Sequence, residues 1–98
     1  MPAPSLREIE FTPIETGRLL IRVAGQLVEL TQREFALLEY LIRHAGRAVS
    51  KTELLDHVWD NAADVAPNAV EVYVGYLRRK ITDLPLVTVR GAGYRLVT

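Results

Sequence analysis

The chain contains no cysteine among its 98 residues. That removes disulfides, thiolate nucleophiles and cysteine-based metal sites, and it fits an expected cytoplasmic location. It has no run of 18 apolar residues, so no membrane-spanning helix is expected. Its opening, Met1-Pro2-Ala3-Pro4, lacks the basic and apolar regions of a secretory signal. Residues 1–5 read as a lead-in or linker remnant, and residues 6–98 as one domain. Net charge is also missing, since 12 Lys and Arg balance 12 Asp and Glu.

Catalytic constellations are equally scarce. Ser, His and Asp occur, but nothing in the spacing assembles a triad. Gly91-Ala92-Gly93-Tyr94 reads as a hairpin turn, not as the strand-to-helix cradle that holds phosphate. His44 and His57 have no cysteine or closely spaced acid beside them, and structural roles are expected of both. The reading is therefore a non-enzyme, with no cofactor and no metal.

What is present is 49% apolar residues, enough for one core, and an uneven charge distribution. Residues 67–98 carry Arg78, Arg79, Lys80, Arg90 and Arg95 against only Glu71 and Asp83, whereas the preceding two thirds are net acidic. Such asymmetry fits either a solvated face or one basic working surface.

Along the chain, Ile9-Glu10-Phe11 alternates as a strand that Pro13 confines to an edge or an end. Glu15-Thr16-Gly17 reads as a turn, Arg18–Val23 and Gln26–Leu30 as strands, and Ala24-Gly25 as the turn between them. Thr31-Gln32-Arg33-Glu34 is a capping box that opens a helix. Phe35, Leu38, Leu41 and Ile42 form its stripe, Leu37 broadens it, and Gly46 stands as the C′ stop. Ala48-Val49 allows a short bridging strand. Ser50-Lys51-Thr52-Glu53 then repeats the box spacing before a second helix with Leu54, Leu55, Val58 and Trp59. Residues 60–67 form a polar loop, and Leu86–Arg90, Gly91-Ala92-Gly93 and Tyr94–Val97 form a hairpin.

The most informative stretch is Asn68–Ile81. At 100° per residue, Val70, Val74, Leu77 and Ile81 make one stripe with Tyr73 at its edge. Asn68, Val72, Gly75, Tyr76 and Arg79 face the other way. A solvated face is usually rich in Glu and Lys; this mixture suits contact with another surface, and the adjoining Arg78-Arg79-Lys80 suggests an anionic one. The expected fold is α+β: a small N-terminal antiparallel sheet, a three-helix core and a C-terminal β-hairpin, the winged helix-turn-helix arrangement.

Three motifs in order then carry a resemblance. Leu30–Glu34 with Leu37-Leu38, Asn68–Val74 leading to Leu77–Lys80, and Thr88–Arg95 resemble the DNA-binding output domain of OmpR/PhoB-type two-component response regulators. The resemblance implies a four-stranded N-terminal sheet, a third helix in the major groove and a wing in the minor groove. It also implies head-to-tail pairing of two copies on direct repeats, and a helix-two-to-three loop (here Asp60, Asn61 and Asp64) that touches RNA polymerase. A receiver domain would precede the module in a longer chain. The N-terminal segment looks short for the family, and the Ile81–Leu86 connection looks tight.

On this reading Tyr76 is the first candidate for base or sugar contact, and Val72 packs either on a thymine methyl or on the core periphery. Asn68 either reads adenine or caps the helix, and Glu71 either accepts from cytosine or favours the positive helix end. Gly75 either permits close approach or is a position the core does not see. Arg79, Tyr73 and Thr88 are phosphate candidates, and one of Arg78 and Lys80 is expected to pair internally. Arg90, at the hairpin turn, is the minor-groove candidate. The alternative is a protein-interaction module of the same fold, docking a partner such as RNA polymerase without reading DNA.

Overall fold

The computed structural model describes residues 9–13, 19–23, 25–59, 66 and 68–97. The first three elements are strands β1 (Ile9–Pro13), β2 (Leu19–Val23) and β3 (Gln26–Leu30), paired antiparallel in the order β1-β2-β3. Pro13 is the last residue of β1, which among the described residues is an edge strand, a position where proline is tolerated. In β2 the pleat sends Ile21 and Val23 into the core and Arg22 to solvent. The register Val23↔Gln26 leaves a two-residue connection, in which Gly25 takes φ +85°. Among the described residues this sheet has three strands, where the resemblance implied four. The turn expected at Glu15–Gly17 lies outside the described residues.

Helix α1 (Gln32–Arg43) begins on Thr31 with both halves of the capping box formed. The Glu34 N–H donates to Thr31 Oγ1 at 3.2 Å, and the Thr31 N–H donates to Glu34 Oε1 at 2.8 Å. Its buried stripe is Glu34, Leu37, Leu38 and Leu41. Phe35 and Ile42 are only half-buried, so Leu37 is central to the stripe and not an addition to it. The helix end also differs from expectation. His44 is the cap, and Gly46 comes two residues later with φ +89°, donating its N–H to the Leu96 carbonyl at 2.8 Å. Gly46 thus turns the chain toward the hairpin instead of closing the helix.

Helix α2 (Lys51–Val58) starts on Ser50, whose Oγ accepts from the Glu53 N–H at 3.0 Å. Only this half of the second box forms. The Glu53 carboxylate turns to Arg47, at 2.7 and 3.1 Å, and accepts from the Tyr40 hydroxyl. Ion-paired hydrogen bonds of this kind are stronger than a bond to a neutral amide. Helix α3 (Ala69–Lys80) is followed by strands β4 (Leu86–Val89) and β5 (Gly93–Leu96).

The three helices and both sheets meet in one core. Ile21, Leu37, Leu38, Leu54, Leu77 and Leu96 all have about 0% exposure, and close packing across them brings α3 and the base of the hairpin together. Tyr94 and Leu96 are buried together, as their shared strand face requires.

The hairpin is tied to the rest through Val49, which bridges Tyr94 with backbone bonds of 2.7 and 2.9 Å. That bridge explains Gly93. Its φ is +127°, and a Cβ there would lie 2.0 Å from the Val49 carbonyl oxygen. The turn comprises Arg90, Gly91 and Ala92, one residue earlier than the spacing suggested, because Gly93 already belongs to β5.

Candidate nucleic-acid interface

Helix α3 presents the two faces its periodicity requires. Val70, Val74, Leu77 and Ile81 are each at most 1% exposed. On the opposite side Asn68 and Arg79 are exposed, and so are two large apolar side chains, Val72 at 36% and Tyr76 at 39%. These lie one turn apart and form an apolar step on an otherwise polar surface. Gly75 sits between them, and a Cβ built on it meets nothing within 4 Å. Among the described residues no internal packing therefore accounts for a glycine in mid-helix.

An aromatic series backs this face. The Arg33 guanidinium lies 5.3 Å from the Trp59 ring centroid, Trp59 meets Tyr73 edge-on at 5.5 Å, and Tyr73 meets Tyr76 edge-on at 5.3 Å. Edge-to-face pairs at these separations are favourable. Tyr76 is thus supported on one side while its other side remains in water.

Asn68 occupies the N-cap position of α3, but its side chain makes no capping bond. Glu71 is half-buried and engaged, with its Oε1 2.5 Å from Lys51 Nζ at the start of α2. This contact raises the Lys51 pKa above its ordinary value.

The basic run at the end of α3 divides by role. Arg78 donates to the Leu86 carbonyl and to Thr88 Oγ1, both at 3.0 Å, and its guanidinium lies 5.9 Å from the Tyr94 ring. Its partners among the described residues are groups of the hairpin. Thr88, a phosphate candidate by sequence, already accepts from Arg78 within the fold. Lys80 donates to Glu34 Oε1 at 2.6 Å and to the Glu29 carbonyl at 3.3 Å. Among the described residues Arg79 alone of the three makes no hydrogen bond or ion pair, and it projects from the outward face.

Arg90 is exposed at the hairpin turn. It lines a groove of about 340 Å³ together with Ser50, Lys51, Thr88 and Tyr94. Lys51 belongs both to this groove and to the pair with Glu71, so the wing tip, the start of α2 and the first turn of α3 are contiguous. Asp60, Asn61 and Asp64 lie outside the described residues. One internal partnership was expected for Arg78 or Lys80, and both have one, but the partners themselves escaped the sequence reading. Lys51 carried no sign of its pairing with Glu71, and Arg78 shows its bond to Thr88 only once the hairpin folds back on α3.

His44 and His57 both pack on Tyr40, at 4.5 and 5.3 Å between ring centroids. Among the described residues no group of three potential ligands is placed to hold a metal ion, and no helix is long and apolar enough to cross a membrane.

The family described as "Transcriptional regulatory protein, C terminal" matches residues 25–96. Transcriptional regulatory protein TcrA of Mycobacterium tuberculosis is 47% identical over 101 residues, covering 98% of this chain and 40% of its own length. The chain spans less than half the length of the curated relatives it matches. Among solved structures, the DNA-binding domain of CpxR from E. coli superposes with a TM-score of 0.76 at 30% identity, covering 100% of this chain and 98% of that one. The DNA-binding domain of the response regulator AdeR, solved in complex with an intercistronic region, gives 0.76 at 26% identity, covering 93% and 95%. With three helices closed by a hairpin and an outward face on the third, the chain belongs to the C-terminal DNA-binding domains of transcriptional regulatory proteins, the OmpR/PhoB-type winged-helix output domains of response regulators.

Proposed function

We propose that this chain binds a specific duplex sequence with the outward face of α3 in the major groove and Arg90 in the adjacent minor groove. The observation that carries this reading is the selective freedom of that face. Arg78 and Lys80 are consumed inside the fold, whereas Val72, Tyr76 and Arg79 are left exposed on one helix side. Tyr76 and Val72 would supply base-edge and thymine-methyl contact, Asn68 a base contact from the first turn, and Arg79 a phosphate anchor. Glu71 reads a base only after leaving Lys51.

A domain with no net charge gains little non-specific affinity from phosphates. A second copy, head-to-tail on a direct repeat, would supply the rest, and a receiver domain in a longer protein would control that pairing.

Selection of bound sites from a random duplex pool tests this reading. The expected result is an enriched motif whose binding weakens about tenfold or more when Tyr76 becomes Ala. An unenriched pool, together with NMR shifts that stay fixed on adding duplex DNA, would reject it in favour of a protein-docking module.

A further inference from the structure

Arg78 stands at the point where α3 and the hairpin meet. One nitrogen, Nη2, donates both to the Leu86 carbonyl at the start of β4 and to Thr88 Oγ1 further along the same strand. The guanidinium also lies over the ring of Tyr94, which is the register partner of Thr88 on β5. A single side chain of α3 therefore holds both strands of the hairpin. Arg90 begins the turn two residues beyond Thr88. The backbone between Lys80 and Leu86 is short: the Ile81 N–H donates to the Leu77 carbonyl of the helix at 2.8 Å, and the Leu84 N–H donates to the Ile81 carbonyl within the connection.

We propose that Arg78 is a positioning residue that fixes the wing against the recognition helix, and so sets where Arg90 meets DNA relative to the bases read by Tyr76. It is not a phosphate contact. A planar guanidinium is suited to this task, because it bonds two acceptors and stacks on an aromatic face at once. A lysine at the same position keeps the charge and loses that geometry. The inference rests on the proposed placement of Arg90 in the minor groove.

The test compares Arg78→Lys with the wild-type domain, in the presence and absence of Arg90→Ala, on sites whose wing-facing base pairs are A·T or G·C. Arg78→Lys is expected to weaken binding about tenfold on the A·T site and to leave the salt dependence unchanged. In the Arg90→Ala background the same substitution should have no further effect, because the wing no longer contributes. An equal loss in both backgrounds, or a shallower salt slope, would overturn the proposal and make Arg78 a phosphate contact. If Arg90→Ala is itself without effect, the minor-groove placement fails. The backbone amides of residues 90–92 then decide the rest in the DNA-free domain: increased motion in Arg78→Lys supports the positioning role, and unchanged amides reject it.

Discussion

Lys80, the last residue of α3, donates to the carboxylate of Glu34 in the first turn of α1 at 2.6 Å. The pair closes the domain. Glu34 is 2% exposed, and its second function is to accept the Thr31 N–H that completes the capping box. Burial alone would raise the Glu34 pKa. The Lys80 hydrogen bond and charge and the Thr31 amide together outweigh it, and hold the carboxyl below its ordinary value of 4.5. One residue of a basic run that looks made for DNA is thus a structural counter-ion.

Replacing Lys80 with Met should destabilise the fold, because it strands a buried carboxylate. A fully buried pair broken on one side costs about 3–5 kcal/mol. Lys80 is 37% exposed, so water reaches the site and a loss of about 1–3 kcal/mol is expected. Urea melts of wild type and Lys80→Met at pH 7 measure it, and equal midpoints would remove the pair from the list of stabilising contacts.

Acid should weaken the domain through two carboxylates. Glu34 is held below its ordinary value, and the bonds from Arg47 and Tyr40 lower Glu53 to about 2. A carboxyl whose folded pKa is depressed contributes stability above its unfolded value, and that contribution fades as pH falls through the folded one. For Glu53 the window runs from 4.5 down to about 2. The stability gap between wild type and Glu53→Gln should therefore be constant from pH 7 to 5 and shrink below it. A gap that does not change with pH would show that Glu53 acts through packing alone.

What the sequence disclosed and what it hid divide by the range of the interaction. The faces of α3 follow from a 3.6-residue period, and all four residues of its inner stripe are buried. The Thr31 box is an i, i+3 relation and forms in full. The identical spacing at Ser50 yields only half a box, because Arg47 and Tyr40 compete for Glu53 from outside the helix. Glu34 and Lys80 are 46 positions apart, and Arg78 finds Thr88 only across a chain reversal. A helical wheel assigns each residue a direction relative to its own core stripe and says nothing about what lies there. That is why Arg79 could be singled out from its period while the partners of Arg78 and Lys80 could not.

Gly75 offers a separation of stability from binding. No described residue lies within 4 Å of a Cβ placed there, so Gly75→Ala should stabilise the free domain by up to about 1 kcal/mol through helix propensity. If the glycine exists to let the helix backbone approach DNA, the same substitution should weaken binding to the selected site. Thermal melts and titrations of one preparation decide it. A more stable variant with undiminished affinity would mark Gly75 as a position without a binding role.

Arg79 and Lys80 are adjacent in sequence, yet the first is expected to bind DNA and the second to hold the fold together. Arg79 has no hydrogen-bond or ion-pair partner among the described residues, whereas Lys80 is committed to Glu34 and Glu29. Each neutralised phosphate contributes about 0.9 to the slope of log affinity against log salt. Arg79→Gln should therefore lower the slope by about one unit and weaken all sequences alike, with little change in melting temperature. Lys80→Gln should lower the melting temperature and leave the slope intact. Salt titrations of both variants on the selected site and on random duplex provide the comparison. A slope that falls for Lys80→Gln would mean that Lys80 leaves Glu34 when DNA binds, and that the pair closing the domain also gives way at the interface.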